Sequence, residues 1–349
     1  MIELSVGTKF ELGLIKKLIS QNENSRRVKV KEIYGSIGLK SGNGIISTAR
    51  QSYRLSNSLK DIENAAALCN DNDIEIAYTM NSVVMPSLHT FSRNLKELID
   101  YLKTLEALGI HSVTVANPLV MEVIHAHTKL KVNVSTICHV DNIHQLRKYK
   151  EMGVRKIVLS YMHNRNIKLL KQAVEEEIPI ELMTNETCLK NCPYRMSCYS
   201  IESLTENDEP YQPEGEPVDI QGYPYTRCWE ETQKNWPSGF LKTAWIRPED
   251  LKKYEEIGIH NFKITGRTQR PEKILFDTAA YMKESYDGNL LDIMPLIAGS
   301  DVKEGGEFAG FSIDNRKLDG FVDYFMEKTP YCDIECGTSC RYCENYWKE

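Results

Sequence analysis

Eight of the ten cysteines in this chain fall into two groups, and thiolates grouped this way are good ligands for soft and borderline metals. The first group is Cys188, Cys192 and Cys198 in NETCLKNCPYRMSCYS, with Cys228 further on in TRCW. Four thiolates from nearby loops ligate a [4Fe-4S] cluster, and the same set binds zinc tetrahedrally. Three cysteines between positions 188 and 198 weigh against scattered free thiols and favour the cluster. The second group is Cys332, Cys336, Cys340 and Cys343 in YCDIECGTSCRYCENYWKE, where a second cluster and zinc are both open. Cys69 and Cys138 stand alone and read as packing residues.

Two cations come next. Lys263, Thr265 and Arg267 alternate along a short β-rich run and so share one face of a strand. On an interior face, Lys263 and Arg267 would stand near the first cysteines, and the Arg267 fork suits a carboxylate or phosphate. The competing reading is a salt bridge to an interior carboxylate such as Glu32. Tyr34, Asn81, Asn117, Asn133 and Ser135 lie at or near strand ends and are candidates to line the same cavity; each alone also reads as a satisfied polar core residue. His125 and His127, in IHAHT, read as surface residues, and His139 is an acid–base candidate. There is no HExxH and no GxSxG, and no cysteine–histidine pair stands out along the chain.

The elements that must position these residues follow a repeating unit. A helical pattern closes on glycine, then Ile or Val, then a β-rich run, at Leu108-Gly109-Ile110, Met152-Gly153-Val154 and Ile257-Gly258-Ile259. Ser92 and Asp141 are candidate helix N-caps, and Pro248 suits a first helical turn. Strand candidates are Ile2–Val6, Val30–Tyr34, Ile74–Met80, Ser112–Ala116, Leu130–Ser135, Lys156–Ser160, Ile178–Met183 and Asn261–Thr265, with Phe240–Ile246 as a ninth, returning strand. Strands alternating with helices predict an α/β fold, a (β/α)8 TIM-barrel-like domain over residues 1–290. Residues 185–240 form a cluster-binding insertion, within which Glu206 to Asn235 reads as a long ordered loop. Residues 291–349 form a Cys-rich C-terminal extension.

Of 349 residues 41% are hydrophobic and 26% charged, which leaves ample core for such a barrel. The net charge of −6 advertises no basic surface for nucleic acid. No cationic leader with an apolar stretch opens the chain and no run of about 18 apolar residues occurs, so the expectation is a cytoplasmic protein with no membrane span. Ten cysteines are too sparse for a small disulfide scaffold.

The segment WIRPEDLKKYEEIGIHNFKITGRTQRPEKILFDTAAYMKESYDG resembles the region of the peptidase U32 family (collagenase-like) around its KIEGR motif, here Lys263-Ile264-Thr265-Gly266-Arg267. IELSVGT, VKEIYGS and IELMTNETC match the order of elements in that family, over most of residues 1–290. The family signature places a glycine before the first cysteine and a Cys-x4-Gly-x-Cys spacing; here there is no such glycine, and the spacing is Cys-x3-Cys-x5-Cys. The resemblance implies a cysteine-bound [4Fe-4S] cluster and oxygen-independent hydroxylation of an aromatic or heteroaromatic ring, in RNA or in a quinone precursor. It also implies prephenate as an anionic oxygen donor and, in some members, a paralogous U32 partner subunit. The alternatives are a U32 endopeptidase and a non-catalytic iron–sulfur partner subunit.

Overall fold

The structure, a computed structural model, describes residues 1–37, 48, 57–84, 92–205, 223–295, 311–327, 332 and 336–347. The strands are β1 (Ile2–Gly7), β2 (Val28–Gly35), β3 (Glu75–Met80), β4 (Ser112–Val115), β5 (Lys131–Val134), β6 (Lys156–Val158), β7 (Ile180–Met183) and β8 (Asn261–Ile264). They pair in parallel in chain order, and β8 closes on β1 to form a barrel. The helices are α1 (Leu12–Glu23), α2 (Leu59–Asn70), α3 (Ser92–Ala107), α4 (Pro118–His127), α5 (Ile143–Glu151), α6 (Ile167–Glu175), α7 (Arg195–Thr205), α8 (Tyr223–Lys234), α9 (Ser238–Leu241), α10 (Leu251–Glu256), α11 (Pro271–Met282), α12 (Asp323–Glu327) and α13 (Tyr342–Asn345). The (β/α)8 barrel expected from the repeating unit is therefore present. Gly109, Gly153 and Gly258 carry the positive φ of 88°, 78° and 97° that lets each helix end and the chain turn into the next strand.

Three local expectations change. Phe240–Ile246 is no strand: Phe240 and Leu241 end α9, and the extended chain beyond hands a single bond from Ile246 N–H to Thr184 O at 2.7 Å. β7 already pairs with β8, so no sheet edge is left for a ninth strand. Asn142, not Asp141, caps α5, accepting from Gln145 N–H at 3.0 Å. The stretch read as a loop ends in a helix, α8, which carries Cys228; its first part lies outside the described residues. Ser92 falls within the first turn of α3, and Pro248 opens the turn before α10 as expected.

The strands alternate, but with an uncommon sense. The apolar set, including Leu4, Val6, Ile33, Ile76, Val132 and Leu182, is buried in one core with the helices. The intervening residues point into the barrel and include the polar and charged Ser5, Glu32, Lys156, Glu181 and Lys263. Glu32 of β2 meets Lys156 of β6, an approach that only the barrel interior allows.

Candidate active site at the C-terminal mouth

The interior is held by ion pairs. Lys156 Nζ donates to Glu181 Oε1 at 2.7 Å and Glu32 Oε2 at 2.9 Å. Lys263 Nζ lies 3.4 Å from Glu181 and 4.0 Å from Glu32, and Ser5 Oγ donates to Glu181 at 2.5 Å. Arg155 closes the N-terminal mouth against Glu32, Glu75 and Asn133. Burial alone would raise the Glu32 pKa, but the charges of Lys156, Lys263 and Arg155 overcome it and bring it down to about 2. Glu181 is lowered against burial by the two lysines. Burial lowers Lys263, whereas the closer carboxylates hold Lys156 up against the same burial. Lys263 thus takes the salt-bridge reading, with its ammonium 3.6 Å from the centroid of the Tyr34 ring.

Arg267 comes off the strand beyond Gly266, whose φ of +106° ends the alternation. It donates to Thr48 Oγ1 at 2.8 Å. Gly7, at the end of β1, makes room for this layer: a Cβ there would lie 2.8 Å from Arg267 Cβ and 2.9 Å from the Tyr34 ring. Gly7→Ala is expected to destabilise the fold by about 1–3 kcal/mol through overpacking. A urea midpoint unchanged from wild type would show that Tyr34 and Arg267 shift freely.

The polar strand-end residues do not gather into one cavity. Tyr34 donates to Ile264 O at 2.8 Å. Asn117 caps α4, accepting from Leu119 N–H at 2.9 Å. Asn133 donates to Ser112 at 3.0 Å and accepts from Arg155 at the opposite end of the barrel. Asn81 donates to Ser135 at 3.4 Å, near the C-terminal mouth. These side chains stabilise turns and the interior.

The first cysteine group does stand at that mouth. Beyond β7, Thr184 N–H donates to Lys263 O at 3.0 Å, and Asn185 Oδ1 accepts from Thr265 N–H at 2.7 Å, so the chain is held against β8. Glu186 Oε1 then accepts from the N–H groups of Thr187 and Cys188 at 3.0 and 3.1 Å. Helix α7, carrying Cys198, crosses the mouth: Ser203 Oγ accepts from Val83 N–H at 3.1 Å, Tyr199 packs on Ile137, and the Tyr161 and Tyr199 hydroxyls share a bond at 3.1 Å.

Cys192 and Cys228 are hydrogen-bonded through their sulfurs. That bond first, aided by nearby backbone N–H groups and Arg195, brings the Cys192 thiol down to about 6 despite burial. Cys228 is raised by the same bond, by burial, and by the charges of Cys188, Cys192 and Cys198, so the other three thiols lie within electrostatic reach of Cys228. Among the described residues, no three His, Cys, Asp or Glu side chains are drawn together at metal-bonding spacing.

Beside Cys192 opens a pocket of about 330 Å³ lined by His139, Asp141, Ser160, His163 and Arg195, among others. Sequence reasoning marked His139 but missed the rest. His139 has a left-handed backbone (φ 50°) that closes the turn Thr136–Cys138. Its Nε2 is buried without a hydrogen-bond partner among the described residues. Burial and the charge of Arg195 lower its pKa. Arg195 itself lies 5.4 Å over the Tyr161 ring. Of the isolated cysteines, Cys69 is fully buried and Cys138 Sγ approaches Ala116 O at 3.3 Å.

Fold and site together define a (β/α)8-barrel protein with a pocket, lined in part by Cys192, at the face where barrel active sites form. Residues 45–287 match the model of peptidase family U32, and the chain belongs to that family. A protein of Methanocaldococcus jannaschii described as an uncharacterized protease is 24% identical over 288 residues, covering 82% of this chain and 80% of its own. The solved structure of the U32 peptidase Mk0906 superposes with a TM-score of 0.51 at 15% identity, over 76% of this chain and 92% of that one, a likeness of fold. Among the described residues, no helix is long and apolar enough to cross a membrane.

Proposed function

We propose that this U32 protein is an iron–sulfur enzyme that hydroxylates an aromatic or heteroaromatic ring without molecular oxygen, with Cys188, Cys192, Cys198 and Cys228 as the cluster ligands. One observation carries the reading: thiols from the chain after β7 and from α7 bear on Cys228 of α8, and one of them, Cys192, lines an open pocket at the catalytic face of the barrel. The donor set fits a [4Fe-4S] cluster, whose usual ligands are four cysteine thiolates, with Cys192 and Cys228 already in contact. Such a cluster supplies electrons or Lewis acidity when bound. The chain's own residues do the rest. Arg195 holds the carboxylate of an anionic oxygen donor of the prephenate kind. His139 Nε2 takes up or returns a proton, and α7 limits water at the mouth. A pocket of about 330 Å³ admits a single ring of nucleobase or phenol size.

Protein purified without oxygen is expected to be brown and to carry about four irons at this site. Replacing all four cysteines with serine should abolish the colour. A colourless preparation holding zinc alone would sink the proposal.

A second reading has its own support. Cys192, with a thiol pKa of about 6, lines one pocket with His139, His163 and Asp141, the residue types of a thiol hydrolase. It corresponds to the U32 endopeptidase alternative.

A further inference from the structure

The C-terminal cysteines take no part in the proposed chemistry, so an inference about them stands apart from it. Cys332, Cys336, Cys340 and Cys343 all line one small cavity, with Lys190 and Lys242 on its wall. Its volume is about 10 Å³, the space of one water-sized particle. The space left between the thiols as they stand suits a single ion. The backbone is shaped to suit. Cys336 and Cys340 lie opposite each other in a bridge, and Gly337, at φ 78°, turns the chain so that its N–H donates to Cys340 O at 3.1 Å. Cys343 is buried in the first turn of α13. The floor is rigid, since Tyr324 and Tyr342 stack at 3.9 Å and Phe321 lies 5.3 Å from Tyr342.

Charge points the same way. Four thiolates around a divalent ion leave a net double negative charge, which needs compensation in a partly buried site. Lys190 Nζ donates to Cys332 Sγ at 3.0 Å. Lys242, held by Glu344 at 2.7 Å, bears on Cys336, and Arg165 bears on Cys343. Lys190 also sits between Cys188 and Cys192 in the chain, so the C-terminal site touches the segment that frames the candidate active site. As noted above, the thiols are not at bonding spacing; they converge on the cavity, and a bound ion would draw them the rest of the way.

We propose that Cys332, Cys336, Cys340 and Cys343 hold one tetrahedral zinc ion, and that this site, through Lys190, fastens the Cys188–Cys198 segment to the barrel. Tetrathiolate coordination of a lone ion is the common structural zinc arrangement, and such sites stabilise the chain around them.

The test uses full-length protein purified without oxygen, with zinc and iron measured by mass spectrometry. A mercurial titration with a chromogenic chelator should release one zinc per chain as thiols are capped. Cys336→Ser/Cys340→Ser should lose that zinc without loss of iron, and Cys340→His, which keeps a zinc donor, should retain it. Hydrogen exchange across residues 188–198 should quicken in the zinc-free protein and in Lys190→Met. If the double variant does not fold, the wild-type titration still decides. Absence of zinc from wild type, iron in its place, zinc retained in the double variant, or unaltered exchange at 188–198 would each overturn the proposal.

Discussion

Lys156→Met is expected to destabilise the barrel by about 3–5 kcal/mol, although methionine fills nearly the same space. The reason lies in what is left behind. Lys156 is the nearest cation to both Glu181 and Glu32, at 2.7 and 2.9 Å. Lys263 stands further off, at 3.4 and 4.0 Å, and cannot satisfy both. Deleting Lys156 takes the nearest cation from two interior carboxylates, leaving Glu32 to Arg155 at 3.3 Å and Glu181 to Lys263 at 3.4 Å, too little to offset their desolvation. Adding Glu181→Gln to the Lys156→Met background removes one of these charges and should recover part of the loss. Guanidinium unfolding measures both; a Lys156→Met midpoint within about 1 kcal/mol of wild type, below the range for a broken buried pair, would show that the interior is wetter than its geometry implies.

The same network sets the response to acid. Glu32 has its pKa brought down from 4.5 to about 2 in the folded protein. A carboxylate depressed by folding stabilises the folded state fully above its unfolded pKa, and that stability drains as pH falls toward the folded value. The loss therefore falls between pH 4.5 and about 2. In Lys156→Met the depression shrinks, and acid unfolding should begin at higher pH.

The barrel was legible because its signals are local. Glycines at 109, 153 and 258 each end a helix, and a β-rich run follows each within a few residues. Phe240–Ile246 shows the limit of local reading. Its apolar residues are as buried as a strand's, with Trp245 Nε1 donating to Phe240 O at 3.1 Å, but closure of β7 on β8 leaves it nothing to pair with. Lys263 does face the interior, but the strand ends at Ile264 and Gly266 breaks the alternation before Arg267. Which partners Lys263 meets depends on closure, which sets β7 beside β8 and brings β2 in beyond β1, and not on spacing. Spacing did not show that a turn engages the Asn117 side chain and Arg155 that of Asn133. The pocket was the least legible part. His139, His163 and Arg195 come from three segments, brought together only when α7 folds across the mouth, which no periodicity announces.

Cys228→Ser and His139→Ala are expected to fail in different ways, and the contrast separates the two functional readings. Under the cluster reading, Cys228 is a ligand, so Cys228→Ser should lose the chromophore and all oxygen-independent hydroxylation together. His139→Ala should keep the iron and lower turnover about 10²- to 10⁴-fold, the usual worth of a positioned acid–base group. It should also lose the limb of the pH–rate profile set by the depressed His139 pKa. Under the thiol hydrolase reading the order reverses. Cys192 is then the nucleophile and a histidine of its pocket the base, while Cys228 only donates a hydrogen bond to Cys192. Cys228→Ser preserves a donor there and should leave peptide cleavage largely intact, whereas Cys192→Ala and His139→Ala should each abolish it. Cys188→Ser and Cys198→Ser, which supply neither member of such a dyad, should be nearly silent in a hydrolase and as damaging as Cys228→Ser in a cluster enzyme. We expect the four cysteine variants to behave alike and to lose iron. Metal-free protein that cleaves peptides, with Cys192 alone indispensable among the four, would assign this barrel to hydrolysis.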